Sequence, residues 1–165
     1  MGADRPSDVA AAAEQLHAAT TVNELLSRTA ESFVGLLDAQ ACTISRVIGD
    51  LLVDLVQHQR GGKPNRLGHG YLISDYPLTR AVIENGEPQT VHTGDAEADE
   101  AETALLAELG FDSLLMLAIE SKETAWALVE VYGNGRRFGS EDVDRARSLA
   151  DEAGDALERL SRSAQ

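Results

Sequence analysis

Residues 113–132 read SLLMLAIESKETAWALVEVY, two apolar stretches separated by a short polar segment. Residues 113–119 are almost entirely apolar, as in a strand buried on both faces of a sheet. Residues 121–123 supply a turn, and residues 125–132 supply a partner strand. This pattern predicts a hairpin at the centre of a sheet.

A second hairpin is predicted earlier in the chain, where residues 41–48 and 51–55 alternate with a period of two around the turn pair Gly49 and Asp50. Helices, a glycine-rich loop and short strands surround the two hairpins. Helices are predicted at 7–19, 21–37, 74–86, 99–110 and from 140 onward. The loop is predicted at 59–70, and the short strands at 71–73 and 88–93. Strands joined by hairpins predict a mostly antiparallel sheet with helices against it, an α+β fold.

The last helix carries a regular apolar seam. Its residues are spaced 3, 4, 3, 4 and 3 apart, as at the a and d positions of a heptad, and they are Val143, Ala146, Ala150, Ala153, Leu157 and Leu160. Two interpretations stay open: the seam packs on the chain's own sheet or first helix, or it joins Val9 and Leu16 of the N-terminal helix in a homodimer interface.

The charge balance argues against two classes of partner. The chain has 28 acidic and 14 basic residues, for a formal net charge of −14. Such a charge repels polyanions, and binding to nucleic acid or to an anionic membrane surface depends on Lys and Arg. We therefore expect neither partner. Cys42 is the only cysteine, which excludes an intrachain disulfide and favours a cytoplasmic location.

Several features in a fixed order resemble the GAF domain family over about residues 20–160. A helix ends in Gly86-Glu87-Pro88 before a short strand, within LTRAVIENGEPQTVHTGD (78–95). A short helix closed by Gly110 leads into the apolar strand 113–119, and FGSED (138–142) opens the last helix. No single motif is specific, and the resemblance depends on their concurrence.

The resemblance implies a GAF-like, profilin-like fold: a central antiparallel sheet of five or six strands, with the terminal helices packed on one face and the middle helices and loops on the other. Residues 1–19 would be an N-terminal helical extension and residues 20–162 the GAF domain. It also implies a non-catalytic regulatory domain that binds a small-molecule effector between the sheet and the middle helices. Such a domain would dimerise through its terminal helices and act on a signalling protein in trans.

Two other functions remain as alternatives. One is a dimerisation or protein-interaction scaffold whose pocket is filled and free of ligand. The other is a small enzyme, which is less expected because no nucleophile and base can be placed together from the sequence.

Candidate ligand-binding residues are those that the family architecture would place around the pocket. They are His69, Tyr71, Ser74, Asp75, Tyr76, Arg80, His92, Met116 and Trp126. No metal site is expected, since no two histidines have metal-ligand spacing on one helix. Cys42 lies far from the middle helix, where bilin-binding relatives carry the linking cysteine, so no covalent bilin is expected. Haem is not expected either, and the effector stays unidentified.

Overall fold

A computed structural model describes residues 5–61 and 70–163. Its helices are α1 (Arg5–His17), α2 (Val22–Leu37), α3 (Pro77–Asn85), α4 (Glu100–Leu109) and α5 (Ser140–Ser163). Its strands are β1 (Ala41–Ile48), β2 (Leu51–Gln59), β3 (Gly70–Leu72), β4 (Gln89–His92), β5 (Ser113–Ser121) and β6 (Thr124–Gly133). The strands form one six-stranded sheet in the order β3-β2-β1-β6-β5-β4, and every neighbouring pair is antiparallel. The predicted α+β fold is confirmed.

The ends of α2 and α4 follow from local side-chain chemistry. Thr21 precedes α2, and its Oγ1 accepts a hydrogen bond from the Glu24 N–H at 3.1 Å. Asp99 precedes α4, and its Oδ1 accepts from the Glu102 N–H at 3.1 Å. Each bond satisfies a backbone donor that has no partner within the first turn. Gly110 closes α4 in the left-handed conformation, at φ 86°.

The middle helix begins later than the sequence predicted. Residues Ile73–Asp75 form a turn of 3-10 helix, and α3 starts at Pro77. The Ser74 hydroxyl donates to Asp50 Oδ2 at 2.8 Å, so Ser74 ties this turn to the first hairpin rather than capping α3.

The face of the sheet that carries α1, α2 and α5 is filled with apolar side chains. Along β6, Ala127, Val129 and Val131 point to this face, and each is fully buried. Phe33 of α2 and Leu149 of α5 are also fully buried there. We call this side the terminal-helix face.

Gly154 allows α5 to lie directly on the end of β5. A Cβ atom at this position would lie 2.5 Å from the backbone oxygen of Glu120, which is closer than any side chain permits. The glycine therefore sets how closely α5 approaches the sheet.

The seam of α5 packs inside the chain. Five of its six residues are at most 8% exposed, namely Ala146, Ala150, Ala153, Leu157 and Leu160, and Val143 is half-buried. Leu16 of α1 is fully buried in the same apolar cluster, and Val9 is half-buried. This packing corresponds to the first of the two interpretations. A homodimer through the terminal helices stays a prediction, and it would have to use their outer surfaces.

Residues 1–19 do not stand apart from the rest of the chain where the structure describes them. Leu16 and Ala19 share the apolar cluster of α2 and α5, and the Arg159 side chain donates to the His17 backbone oxygen at 2.8 Å. The division into an extension and a domain stays a prediction.

Cys42 of β1 is buried on the terminal-helix face among apolar side chains. Burial, and to a smaller extent the nearby Glu130, raise the pKa of its thiol well above the ordinary value. The thiol is therefore held in its unreactive, protonated form.

The other face carries α3 and α4 and is apolar only in part. Leu114, Met116 and Leu128 of the two central strands are buried there with Val82 of α3 and Leu106 of α4. We call this side the middle-helix face. None of the described helices is long and apolar enough to cross a bilayer.

Candidate ligand-binding cavity

A cavity of about 60 Å³ lies on the middle-helix face, between the sheet and helices α3 and α4. Its lining is mixed, with polar and aromatic side chains opposite a few apolar ones. The lining residues are Thr43, Leu52, Asp54, Gln57, Tyr71, Tyr76, Thr79, Glu102, Leu105, Leu109, Phe111, Glu130 and Tyr132. The family resemblance placed a pocket at this location.

The alternation of β6 brings Glu130 into the cavity. Successive side chains of a strand point to opposite faces, so Glu130 shares its face with Leu128 and Tyr132. Its side chain is 8% exposed, and Oε2 accepts a hydrogen bond from the Tyr132 hydroxyl at 3.1 Å. Burial, together with the charges of Glu102 and Asp54, raises the pKa of Glu130 from 4.5 to about 8. The Glu130 carboxyl thus holds its proton at neutral pH.

Glu102 reaches the cavity from the first turn of α4. The sequence predicts a capping box in which the side chains of Asp99 and Glu102 each bond to the other's backbone. Only the Asp99 half forms, because the Glu102 side chain turns inward, where Oε1 accepts from the Thr79 hydroxyl at 2.6 Å. The Glu102 residue is 1% exposed, and its Oε2 has no hydrogen-bond partner among residues 5–61 and 70–163. Burial is the main reason that the pKa of Glu102 is raised.

The third carboxyl of the cavity is Asp54, which lies on β2 next to a bulge in the first hairpin. The pairing of β1 with β2 shifts between Ile44 and Ser45, so Ile44 faces Val56 whereas Ser45 faces Asp54. The extra residue, Leu55, reverses the alternation of β2, as a bulge does. Asp54 shares its face with Leu52 and lines the cavity, where the Ser45 hydroxyl donates to Asp54 Oδ1 at 2.6 Å. The bulge instead turns Val56 to the terminal-helix face.

Aromatic rings form two pairs around these carboxyls. Tyr71 and Tyr76 meet edge to face, with ring centroids 6.2 Å apart, and Phe111 stacks on Tyr132 at 5.0 Å. Burial, with smaller contributions from Asp54 and Glu130, raises the pKa of Tyr71 to about 12. The tyrosines therefore stay protonated and can donate hydrogen bonds at neutral pH.

Three of the nine candidate ligand-binding residues lie at or beside the cavity. Tyr71 and Tyr76 line it. Met116 is fully buried beneath it, with Sδ 3.4 Å from Thr79 Oγ1. His69 falls in residues 62–69, outside the described part of the chain.

The other five candidates do not reach the cavity. Trp126 packs against the terminal-helix core, with the Arg46 guanidinium 4.3 Å from its ring centroid. Arg80 is exposed and pairs with Glu84 at 2.8 Å, and Ser74 and Asp75 are also exposed. His92 lies half-buried on the edge strand β4, where Nδ1 accepts from the Gly94 N–H at 2.9 Å.

The three carboxyls of the cavity were missed by the sequence reasoning, although two carried a signal. Asp54 and Glu130 each interrupt an apolar strand, in LLVDLV (51–56) and ALVEVY (127–132). An acidic side chain that must be buried on such a strand requires a partner. Glu102 carried no separate signal, since a glutamate at this position of a helix is typical of a cap.

Two open grooves elsewhere are larger but lack this chemistry. One, of about 440 Å³, runs beside α5 near Gly154, and another, of about 650 Å³, lies between β4 and residues 95–99. None of their described lining residues has a buried polar atom without a partner. Within residues 5–61 and 70–163, no group of three His, Cys, Asp or Glu side chains is arranged to hold a metal ion.

Comparisons with known proteins agree with this architecture. The model of the GAF domain family matches residues 21–157, so the chain belongs to that family. No curated protein matches the chain.

Solved structures with a similar fold include phytochrome domains. The phycoerythrobilin-bound GAF domain of a cyanobacterial phytochrome superposes with a TM-score of 0.83 at 12% identity, over 100% of both chains. The chromophore-binding domain of a bacteriophytochrome from R. palustris superposes with a TM-score of 0.84, also at 12% identity. This match covers 96% of the present chain but 62% of that domain, and 38% of the longer bacteriophytochrome. At such identities the similarity shows the fold alone.

Proposed function

We propose that this chain is a non-catalytic regulatory GAF domain that binds a small-molecule effector in the cavity beneath α3 and α4. The observation that carries this proposal is Glu102 Oε2, which is buried at the cavity with no hydrogen-bond partner in the part of the chain that the structure describes. An unsatisfied buried polar group costs about 1–3 kcal/mol, and more when it is charged. A bound molecule that donates a hydrogen bond to this oxygen would offset that cost.

Strand β6 provides a route from the cavity to the terminal helices. Glu130 lines the cavity, whereas its neighbours Val129 and Val131 belong to the terminal-helix core. An effector that prefers one position of β6 would therefore shift the population of the helix arrangements packed behind it. We further infer a cytoplasmic homodimer that uses the outer surfaces of α1 and α5, and a signalling protein that receives the output in trans.

Native mass spectrometry of the protein purified from its own cells tests the proposal. We expect the wild type to carry an adduct of defined mass. The variant Leu105→Trp fills the cavity from α4 and should lose the adduct. Ala104→Trp adds the same side chain at the exposed neighbouring position of α4 and should retain it. The same spectra report whether the protein is a dimer.

The scaffold alternative is supported by the size of the cavity, since about 60 Å³ is small beside the several hundred cubic ångströms of most ligand sites. It predicts that no adduct is present and that Leu105→Trp raises the melting temperature by filling a packing defect. If no adduct is found and Leu105→Trp raises the melting temperature, the scaffold function replaces the effector-binding proposal.

A further inference from the structure

We propose that the effector is a small organic cation whose ammonium or guanidinium group binds between Glu102 and Glu130. This inference rests on the proposed function, because it gives the chemical class of the molecule that the same cavity takes. It follows from the unsatisfied acceptor, the charge of the lining, the aromatic rings and the size of the cavity.

The acceptor capacity of Glu102 is largely unused. A carboxylate offers about four acceptor positions, and within the described ranges only Oε1 has a partner, the Thr79 hydroxyl at 2.6 Å. Oε2 requires a donor rather than another acceptor. Charged N–H donors form the shortest and strongest hydrogen bonds to a carboxylate.

The charges of the lining all have one sign. Asp54, Glu102 and Glu130 are acidic, and none of the other described lining residues is basic. An anionic ligand would add to the repulsion among these carboxyls, whereas a cation within about 4–6 Å would favour their charged forms. The site therefore selects for positive charge.

The aromatic rings fit the same ligand class. Tyr71, Tyr76, Phe111 and Tyr132 all line the cavity, which gives it four aromatic side chains beside its three carboxyls. A cation over an aromatic ring is attracted by the negative face of the ring, most strongly where water is excluded. Carboxyls and rings together are suited to an organic ammonium or guanidinium group.

The volume limits how much of the ligand enters. The cavity has room for a few non-hydrogen atoms, since about 60 Å³ exceeds the roughly 10–15 Å³ that one water requires. A small charged group fits this space, and the rest of the ligand would lie against the half-buried Leu105 and Leu109 at the edge of the cavity. A bare metal ion is not favoured, since no three His, Cys, Asp or Glu side chains of the described residues are arranged to hold one.

Cation binding at this site changes the protonation of Glu130. The ionisable groups that bear on Glu130 or line the cavity come from every element around it: Asp54 of β2, Tyr71 of β3, Tyr76 before α3, Glu102 of α4, Tyr132 of β6, and Cys42 behind β1. With a pKa of about 8, Glu130 is mostly protonated at pH 7. A bound cation lowers that pKa, so binding at pH 7 releases up to one proton and strengthens as the pH rises.

Guanidinium chloride at millimolar concentration is the test probe, with urea as a neutral molecule of similar shape, sodium acetate as an anion, and sodium chloride at matched ionic strength. Amide chemical shifts of the ¹⁵N-labelled protein are followed by NMR. We expect guanidinium alone to produce saturable shifts at Thr79, Glu102 and Glu130. Calorimetry at pH 7 in buffers of different ionisation enthalpy should detect the released proton.

Two isosteric variants and one matched control sharpen the test. Glu102→Gln and Glu130→Gln keep the shape of the side chain, and each should weaken guanidinium binding about tenfold or more, since a hydrogen bond to a charged group is lost. Only Glu130→Gln should abolish proton release. Glu100→Gln removes an exposed carboxyl from the same turn of α4 and should leave binding unchanged.

Three results would overturn the cation assignment. The first is equal binding of urea or acetate, and the second is binding that Glu102→Gln leaves intact. The third is guanidinium binding that appears only when Lys63 and Arg66, which lie outside the described residues, are replaced by alanine, because the chain's own side chains would then be the cation. None of these results removes an adduct from the native mass spectrum, so the effector-binding proposal is judged separately.

Discussion

The two faces of one sheet differ in what their side chains can do. On the terminal-helix face, Val129 and Val131 pack among apolar residues, and Phe33 is fully buried. On the middle-helix face, Glu130, which lies between those two valines in the sequence, is buried beside two other carboxyls. The alternation of a single strand thus supplies an apolar core on one side and a cavity lined by buried carboxyls on the other.

The comparison predicts the largest loss of stability on the terminal-helix face. Phe33→Ala should lower the free energy of unfolding by about 3–5 kcal/mol, because a large, fully buried ring is lost and a cavity remains. Urea unfolding followed by circular dichroism measures the change. Ile48→Ala, at a position that is 56% exposed, is the control and should cost far less. A similar cost for both would mean that this face is not the principal core.

On the middle-helix face, hydrogen bonding rather than volume should control stability. Thr79→Val removes the hydrogen bond that the Thr79 hydroxyl donates to Glu102 Oε1 and should lower the free energy of unfolding by about 1–3 kcal/mol. The double variant Thr79→Val with Glu102→Met replaces both partners by apolar groups and should recover most of that loss. Additive losses in this double-mutant cycle, measured by urea unfolding, would show that the two side chains are not coupled.

The same face should give the protein a distinct pH dependence. Below pH 4.5 both folded and unfolded states hold the Glu130 proton, and between 4.5 and about 8 only the folded state does. Raising the pH through this interval therefore favours unfolding, at a slope of up to about 1.4 kcal/mol per pH unit. Glu130→Gln should reduce this slope in urea unfolding curves recorded at pH 5, 6, 7 and 8, and the slope that remains comes from Glu102, whose pKa burial also raises. Glu100→Gln should keep the slope of the wild type.

The smallest effect is expected outside both faces. Arg80→Ala breaks an exposed ion pair with Glu84, and such pairs contribute little because water screens them. Neither the melting temperature by scanning calorimetry nor guanidinium binding by NMR should change measurably. A loss of guanidinium binding in Arg80→Ala would show that Arg80 contributes to the ligand site.

Most of the fold could be predicted because its signals are local. The turn pair Gly49 and Asp50, the cap Thr21 and the terminal Gly110 each act on the residues next to them, and the structure places strand and helix ends there. The predicted start of α3 was wrong because Ser74 forms a hydrogen bond to Asp50, which is 24 residues earlier in the chain. A contact between residues so far apart in the sequence cannot be predicted from the pattern of neighbouring residues.

The cavity could be predicted only in outline, for the same reason. Its position followed from the family resemblance, but its carboxyls depend on how elements meet in three dimensions. Glu102 is inward because Thr79 of α3 lies opposite it. Asp54 is inward because the pairing of β2 with β1 sets it opposite Ser45, on the face that Leu52 also shares. The family architecture pointed instead to Ser74, Asp75 and Arg80, which the structure leaves exposed.

Cys42 of β1, the only cysteine of the sequence, can report when the terminal helices separate from the sheet. Cys42 is fully shielded and protonated between the sheet and its terminal helices, so an alkylating reagent can reach it only after those helices separate from the strands. Because the sequence has no second cysteine, every modified molecule records one such separation. Labelling rates with and without effector would thus report, without any engineered probe, whether occupancy on one side of the sheet tightens or loosens the packing on the other.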